Sequence, residues 1–292
     1  MAEIKPRPII ILGVDRSGTS MVSEMVSRWG AYGGPDPTLS TGDEKNQRGY
    51  WEYEALRPLL DELLLCADVS EWHPMYRVEL KKRSQETYYR KKAEDLIAPM
   101  EIPGKPWFWK DPDLCLMLSF WLELWKDPVF VITVRNPYDS AVSMEKFVLS
   151  DELRNKKYRL ITAYLLRWQC FMVSILSELN RKPEKIFLQY EELMESPDVQ
   201  AKRLFEFLNR ACGASDDDHD RLQNMVQVVT PGLWRNRSPM PLERVPQASK
   251  EQKGLYQLLC QLTENPAEPY SVARYPMYAG WWEYLELVGY IT

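Results

Sequence analysis

The sequence has few cysteines, and their arrangement excludes the usual structural uses of the residue. Its 292 residues include only Cys66, Cys115, Cys170, Cys212 and Cys260. The number is odd, the spacings are wide and no C-x-x-C pair occurs, so neither a disulfide framework nor a zinc site is indicated. Free cysteines are typical of the reducing cytosol, and we expect a cytoplasmic protein.

Long apolar segments and linkers are also missing from the sequence. The first eight residues contain no signal-peptide core, and the sequence shows no 18-residue apolar run, so no stable membrane insertion is predicted. No repeat, low-complexity stretch or Gly/Ser linker divides the chain. Residues 1–292 are therefore predicted to form a single domain.

Positive charge is in deficit. Lys and Arg number 37 against 42 Asp and Glu, which gives a formal net charge of -5. This balance argues against a general nucleic-acid-binding protein. An anionic ligand must therefore be held by a local basic pocket.

Short apolar runs alternate with helical patterns along the chain. This alternation predicts an α/β fold, a P-loop-like three-layer sandwich with a central parallel sheet flanked by helices. Strands are predicted at residues 8–14, 105–110, 129–134 and 185–190, and helices at 19–29, 54–66, 79–97, 114–125, 137–148, 158–180 and 197–209, with a loop over 30–49. Ligands of such sheets lie beyond the carboxyl ends of the strands. The first candidates are therefore the residues after Val14, Trp109, Val134 and Leu188.

The first strand ends in a loop with the spacing of a phosphate-binding turn. Residues 13–20 read GVDRSGTS, which has the G-x-x-x-x-G-x-[ST] skeleton between a strand and a helix. Gly13 and Gly18 let the backbone curl, so that the first N–H groups of the helix can face an anion. Thr19 stands where nucleotide hydrolases have a lysine, and Arg16 supplies the positive charge instead. The alternative interpretation is an ordinary glycine turn.

A second anion site is predicted after the strand VFVITV. Nucleotide hydrolases place a Mg²⁺-binding acid after the corresponding strand, whereas this sequence has Arg135. An arginine cannot bind a metal but can contact a phosphate through two nitrogens. Ser143 lies about two turns into the next helix, where it could reach the same anion. Two anion sites without a metal ligand indicate a nucleotide that is phosphorylated at two places.

Five segments together resemble motifs of the sulfotransferases that use 3′-phosphoadenosine 5′-phosphosulfate (PAPS), in particular the bacterial carbohydrate-type and tyrosylprotein-like branch. They occur in the family's order and cover roughly residues 8 to 210; the last 80 residues match poorly. They are GVDRSGTS at 13–20, NQRGYWE at 46–52, KDP at 110–112, VRNPYDSAVS at 134–143 and QYEEL at 189–193 with Ser196-Pro197 after it.

The resemblance implies a role for individual residues. Arg135 and Ser143 would bind the 3′-phosphate, Tyr190 would lie near the adenine, and Arg235 would belong to a late basic loop over the nucleotide. The 5′-phosphosulfate would be bound by Arg16, Ser17, Gly18, Thr19 and Ser20.

The chemistry of sulfuryl transfer suits such a site. Less charge accumulates than in phosphoryl transfer, so lysine, arginine and backbone N–H groups can suffice without a metal. Charge grows on the bridging oxygen of the breaking bond, where a preorganised cation stabilises the transition state. Lys110, at the end of a predicted strand, and Arg16 are the candidate catalytic cations.

The acceptor hydroxyl also needs a general base. The cytosolic branch of the family has a histidine two residues after this lysine, but here that position is Pro112. Related branches use a carboxylate from the segment after the first helix. Glu52 is therefore the first candidate base, Glu44 the second and His73 the third, and the alternative for Glu52 is that it merely caps the next helix.

Other functions fit the same sequence less well. A P-loop kinase would leave Thr19 and Arg135 unexplained. A non-catalytic module that binds PAPS or its product PAP would not need Lys110. A sugar-nucleotide transferase would not need the 3′-phosphate motif. The acceptor is expected to be a small molecule, a carbohydrate or another glycan, or a lipid, and its identity is not readable from the sequence.

Two charged stretches receive plain structural interpretations. Acids at 216–220 precede a helical pattern and are predicted to occupy its first turn rather than to bind a metal. The basic residues at 81–83 and 91–92 are predicted to form a solvated helix face, with an anionic acceptor track as the alternative.

Overall fold

Four parallel strands and the helices around them form the architecture. A computed structural model describes residues 6–35, 39, 41–43, 46, 48–66, 75–148, 157–180, 182, 184–214, 218–230, 232, 234, 237 and 240–275. The strands are β1 (Pro8–Leu12), β2 (Trp107–Lys110), β3 (Val129–Val134) and β4 (Lys185–Gln189). The helices are α1 (Thr19–Trp29), α2 (Arg57–Cys66), α3 (Met75–Arg83), α4 (Thr87–Ile97), α5 (Leu118–Trp121), α6 (Pro137–Val148), α7 (Lys157–Leu179), α8 (Tyr190–Glu195), α9 (Pro197–Cys212), α10 (His219–Val226) and α11 (Lys250–Glu264).

Within the described residues, the strands pair in the order β2-β1-β3-β4, and every pairing is parallel. The chain leaves β1 toward β2 on one side and then crosses to β3 on the other side. This order creates a topological switch point between β1 and β3, where open α/β sheets bind their ligands.

The sheet is covered by helices on both faces. Ile9 and Ile11 of β1 point into one apolar layer with α1 and α9, and Ile10 and Leu12 point into the other with α7 and α11. Side chains of a strand alternate between faces, so a strand covered on both must be apolar throughout. The predicted α/β class with a central parallel sheet is confirmed.

The helix predicted over 79–97 is two helices, α3 and α4. The hydroxyl of Ser84 donates to the carbonyl oxygen of Lys81 at 2.7 Å, and Glu86 is extended as the residue before α4. A serine that bonds the preceding turn competes with helix continuation, which the apolar periodicity does not reveal.

The helix predicted over 114–125 is also different. A 3₁₀ turn over Pro112–Cys115 is followed by the short α5. The carboxylate of Asp111 accepts a hydrogen bond from the backbone N–H of Asp113 at 2.8 Å. The turn therefore begins at Pro112, two residues before the predicted start of the helix. Buried aromatics from this segment then pack together, with Trp109 and Trp121 edge to face at 5.2 Å.

Helix α7 contains a segment that approaches a membrane span in length and hydropathy, although Arg167, Gln169 and Ser174 keep it from being an unbroken apolar run. Leu160–Leu179 has a mean hydropathy of 1.4 and is long and apolar enough to cross a membrane, while 83% of that window is buried inside the protein. A core helix is apolar on all sides because both the sheet and neighbouring helices cover it. The burial of α7 is that of such a helix.

Candidate functional site

A candidate residue lies at the carboxyl end of each of the four strands, along the same edge of the sheet. Arg16 follows β1, Lys110 ends β2, Arg135 follows β3 and Tyr190 follows β4. The register aligns these ends, since Ile11 pairs with Lys110 and Val134 pairs with Gln189. The parallel topology therefore brings together residues that are up to 174 positions apart in the sequence.

The loop after β1 folds closely onto β3. A Cβ on Gly13 would lie 2.1 Å from Oγ1 of Thr133, so only glycine fits at this point. The hydroxyl of Ser17 donates to the carbonyl oxygen of Val14 at 2.5 Å and lies 2.9 Å from Oγ1 of Thr133. These contacts hold the loop against the sheet and leave the start of α1 at the sheet edge.

Arg16 occupies the tip of this loop in an unfavourable backbone conformation. Its φ of 63° is in the left-handed region, which residues other than glycine rarely adopt. Nη1 of Arg135 donates to the carbonyl oxygen of Arg16 at 2.7 Å, and Nε of Arg16 donates to Oγ of Ser143 at 3.1 Å. The two predicted anion sites are therefore in direct contact.

Two like charges lie close together here. Burial lowers the pKa of Arg16 from its ordinary value, and the positive charge of Arg135 acts in the same direction. Arginine stays protonated even so. A pair of partly desolvated guanidinium groups repel each other, and an anion bound between them relieves that repulsion.

Tyr190 closes the opposite side of the loop. Gly18 has a φ of 95°, and a Cβ there would lie 2.5 Å from Cδ2 of Tyr190. The guanidinium carbon of Arg135 lies 4.3 Å from the centroid of the Tyr190 ring, and Trp234 meets the same ring edge to face at 6.3 Å. Burial raises the pKa of the Tyr190 hydroxyl. Tyr190 thus lies beside Arg135, and its place near the adenine stays a prediction.

Lys110 and Glu52 are in direct contact. The Lys110 side chain is only 4% exposed, and its Nζ donates to Oε1 of Glu52 at 2.5 Å and to the carbonyl oxygen of Tyr50 at 3.0 Å. Glu52 is 34% exposed, so it contacts the lysine and is also partly open to solvent. The hydroxyl of Ser20 donates to the same Tyr50 carbonyl at 3.2 Å, which joins the start of α1 to Lys110.

The segment that carries Glu52 has its own supports. Trp51 has a φ of 60°, and its N–H donates to the carbonyl oxygen of Leu39 at 3.0 Å. Nδ2 of Asn46 donates to the Gly49 carbonyl oxygen at 2.6 Å. The Tyr50 hydroxyl donates to Asp43 at 2.9 Å, and burial together with this bond raises the pKa of Tyr50 to about 12.

Sequence reasoning missed a group of paired charged residues behind the site. Arg167 of α7 binds the carboxylate of Asp15, the residue before Arg16, through Nε at 2.9 Å and Nη2 at 2.7 Å. Arg57 lies 3.0 Å from Asp113 and 3.5 Å from Asp111, the residue after Lys110. One signal was available: Arg167 is the only charged residue between Leu160 and Ser177.

Three predicted site residues, Glu44, His73 and Arg235, lie outside the described residues. Of the acidic stretch 216–220, Asp218 caps α10 by accepting the N–H of Arg221 at 3.0 Å, which agrees with the helical interpretation. Among the described residues, no group of three His, Cys, Asp or Glu could hold a metal ion.

The basic stretches pair with acids rather than forming an open track. Lys81 lies 2.9 Å from Glu123, and Lys92 lies 2.5 Å from Glu62. The side chains of Lys81 and Lys92 are 63% and 37% exposed, so the prediction of a solvated helix face is confirmed for these residues, and the ion pairs were not predicted.

Three sulfotransferases are among the solved structures that the chain resembles at low identity. The sulfotransferase domain from the curacin biosynthetic pathway is 17% identical with a TM-score of 0.45, over 98% of each chain. The sulfotransferase domain of the Synechococcus PCC 7002 olefin synthase is 18% identical with a TM-score of 0.47, over 92% of this chain and 97% of that one. A sulfotransferase from Mycobacterium avium is 15% identical with a TM-score of 0.41, over 99% and 76%.

The family assignment depends on a family model rather than on these structures. No curated protein matches the sequence significantly. The model described as "Sulfotransferase family" matches residues 8–212, more than two thirds of the chain and all five motif segments. A single domain over residues 1–292 stays a prediction. The chain belongs to the sulfotransferase family.

Proposed function

We propose that the protein transfers a sulfuryl group from PAPS to a hydroxyl or amine of a small-molecule, carbohydrate or lipid acceptor, in the cytoplasm. The observation that carries this proposal is the contact between two arginines from separate strand ends. Arg135 bonds the Arg16 backbone and Arg16 bonds Ser143. A nucleotide with phosphates at two positions supplies anionic groups to both.

The residues at the sheet edge fit this donor. The backbone N–H groups of residues 18–20 stand at the start of α1, where an anion is favoured by the helix dipole. The close approach of Tyr190 to Gly18 leaves no room for a side chain at residue 18, so the loop backbone itself is presented to the ligand. Arg135 and Ser143 would bind the 3′-phosphate, with Tyr190 beside the adenine.

PAPS supplies an activated sulfuryl group, and the protein supplies orientation and charge. The acceptor oxygen or nitrogen forms a bond to sulfur while the bond from sulfur to the bridging phosphate oxygen breaks. The electron pair of that bond stays on the phosphate, and the acceptor proton goes to the carboxylate of Glu52. Lys110 and Arg16 stabilise the charge that develops on the bridging oxygen.

The contact between Lys110 and Glu52 is compatible with both roles. An ammonium group has three N–H donors. Two of them bond Glu52 and the Tyr50 carbonyl, which leaves one direction for the bridging oxygen. Lys110 can therefore hold the base close to the reacting bond while it stabilises the leaving group.

A metal is not required by this arrangement. Arg135 stands where nucleotide hydrolases have a metal-binding acid, and Thr19 replaces the lysine of a kinase loop. The positive charge for a transferred group with a single negative charge comes from side chains. These two substitutions favour sulfuryl over phosphoryl transfer.

The proposal is tested by mass spectrometry after incubation with PAPS and a panel of acceptors. A reaction without an added acceptor, in which only water can accept the sulfuryl group, is the reference. We expect PAP to form together with a sulfated product, and Lys110→Met to slow this turnover by roughly 10²-fold or more. Consumption of ATP with Mg²⁺ but not of PAPS would contradict the proposal and favour the kinase alternative.

A further inference from the structure

A chain of ion pairs, buried at Arg167 and Asp111 and 40% exposed at Arg57, connects the two segments that carry the proposed catalytic cations. Arg167 of α7, with a side chain only 7% exposed, binds Asp15 at 2.7 Å through Nη2 and lies 3.7 Å from Oδ1 of Asp113. Arg57 binds Oδ2 of Asp113 at 3.0 Å and lies 3.5 Å from Asp111. Asp113 is therefore held between two arginines. We call Asp15, Arg167, Asp113, Arg57 and Asp111 the ion network.

Each end of the ion network is next to a proposed catalytic residue. Asp15 directly precedes Arg16, and Asp111 directly follows Lys110. The two ends belong to the loops after β1 and β2, which pair in the sheet but have separate connections beyond it. The ion network adds a side-chain link between these segments to the pairing of Ile11 with Lys110 and to the Tyr50 carbonyl oxygen that Ser20 and Lys110 share.

The end at Asp15 also supports the strained conformation of Arg16. The hydroxyl of Tyr164 donates to the backbone carbonyl oxygen of Asp15, and Arg167 binds the Asp15 carboxylate. Tyr164 and Arg167 are three residues apart on α7 and therefore share a face of the helix. Helix α7 thus holds one side of Arg16, while Arg135 holds its carbonyl oxygen on the other side.

A role in stability alone explains the ion network poorly. Burying charged groups costs desolvation, and apolar side chains of similar volume stabilise a core as well or better. Between Leu160 and Ser177 of α7, Arg167 is the only charged residue, so it stands apart from the apolar side chains that pack around it. What ion pairs add over apolar packing is a fixed geometry between the groups they join.

We infer that Arg167 is a positioning residue, which sets the spacing between the Arg16 loop and Lys110 through Asp15 and Asp113. This inference rests on the proposed function, because the spacing matters where both cations face the same breaking bond. A displacement of about 1 Å at such a site can cost about 10²-fold in rate. Binding of PAP, which lacks the breaking bond, depends less on that spacing.

The test compares Arg167→Lys, Asp113→Asn and Asp15→Asn with a matched control. Arg7→Lys changes an arginine that is equally buried and also pairs with an acid, Asp127 at 3.0 Å, at the opposite end of β1. Four quantities are measured for each variant: the melting temperature, the affinity for PAP, the kcat and KM of PAPS turnover, and hydrogen exchange of the amides of residues 14–20.

We expect Arg167→Lys and Asp113→Asn to lower kcat by roughly 10- to 100-fold, with a change in PAP affinity of no more than about threefold. Amides of residues 14–20 should exchange faster in Arg167→Lys. Because Asp15 and Asp113 act through the same arginine, the Asp15→Asn/Asp113→Asn double variant should lose little more than the stronger single variant. Arg7→Lys should lower the melting temperature and leave kcat and loop exchange unchanged.

Unchanged kcat and loop exchange in Asp113→Asn would overturn the inference, and so would a kcat that follows the melting temperature in all variants, Arg7→Lys included. Asp113→Asn decides if Arg167→Lys fails to fold, because it keeps the size of the side chain. If the wild type neither binds PAP nor turns over PAPS, the proposed donor is contradicted. Faster exchange of the amides of residues 14–20 in Arg167→Lys would still support the role of the ion network in that case.

Discussion

Replacing Gly18 by alanine probes the fit between the phosphate loop and Tyr190. Two separate costs follow from the structure. The φ of 95° is unfavourable for any residue with a Cβ, which costs about 1–2 kcal/mol. The new Cβ would lie 2.5 Å from the Tyr190 ring, whereas ordinary contacts begin at 3.4 Å. The ring must therefore retreat by about 1 Å.

The retreat of Tyr190 weakens its contacts with Arg135 and Trp234. The stacking of a guanidinium on an aromatic ring contributes about 1 kcal/mol, and an edge-to-face aromatic pair contributes a similar amount. Together with the backbone cost, Gly18→Ala should reduce the free energy of unfolding by about 3 kcal/mol. For a chain of this size the melting temperature should fall by roughly 6–12 °C.

Gly104→Ala is the matched control for this prediction. Gly104 also has a positive φ, 70°, but nothing lies within 4 Å of a Cβ placed there. It should therefore lose only the backbone cost, about 1–2 kcal/mol. Thermal unfolding gives the two stabilities, and calorimetry with PAP should show at least a tenfold weaker affinity for Gly18→Ala alone. Equal losses of stability and unchanged PAP affinity in both variants would refute the reasoning.

Three further predictions follow from the site. Glu52→Gln should retain PAP binding and lower the transfer rate by roughly 10²-fold; normal turnover in this variant together with slow turnover in Glu44→Gln would move the base to Glu44. PAPS turnover should persist in EDTA, and loss of turnover that Mg²⁺ restores would argue for the kinase alternative. Burial, with the negative charge of Asp113, raises the pKa of Asp111 to about 7, so the folded state retains a proton that the unfolded state releases above about pH 4. The contribution of Asp111 to the free energy of unfolding therefore falls as pH rises from about 4 to 7. Chemical denaturation should show that the free energy of unfolding of Asp111→Asn, relative to that of the wild type, rises over this pH range and stays constant above it.

The parts of the fold that the sequence predicts best are those with a local signature. The strand VFVITV and the helix Thr19–Trp29 were predicted at their observed positions because each has the periodicity of its own element and a clear boundary. Helix α11 was not predicted, although Ser249 and Gln252 form a capping box that is visible in the sequence.

In the candidate site, too, the residues with a local sequence signature were predicted, whereas the contacts between distant segments were not. Arg16 and Arg135 were identified because each follows an apolar strand, and parallel strands end at one edge. The contact between Lys110 and Glu52 was not predicted, because it joins two elements 58 residues apart through the path of a loop. Asp15 and Arg167 are 152 positions apart, and an arginine inside an apolar helix does not indicate which loop will pack against it.

The central claim is that the site reads a nucleotide at two phosphates. Titration calorimetry of the wild type and of Arg135→Ala with PAP and with AMP tests it most directly. Hydrogen bonds to a charged group contribute about 1.5–3 kcal/mol. The wild type should therefore bind PAP roughly 10- to 100-fold more tightly than AMP, and Arg135→Ala should abolish most of that difference. Equal affinities of the wild type for PAP and AMP, or a preference that survives in Arg135→Ala, would contradict the account.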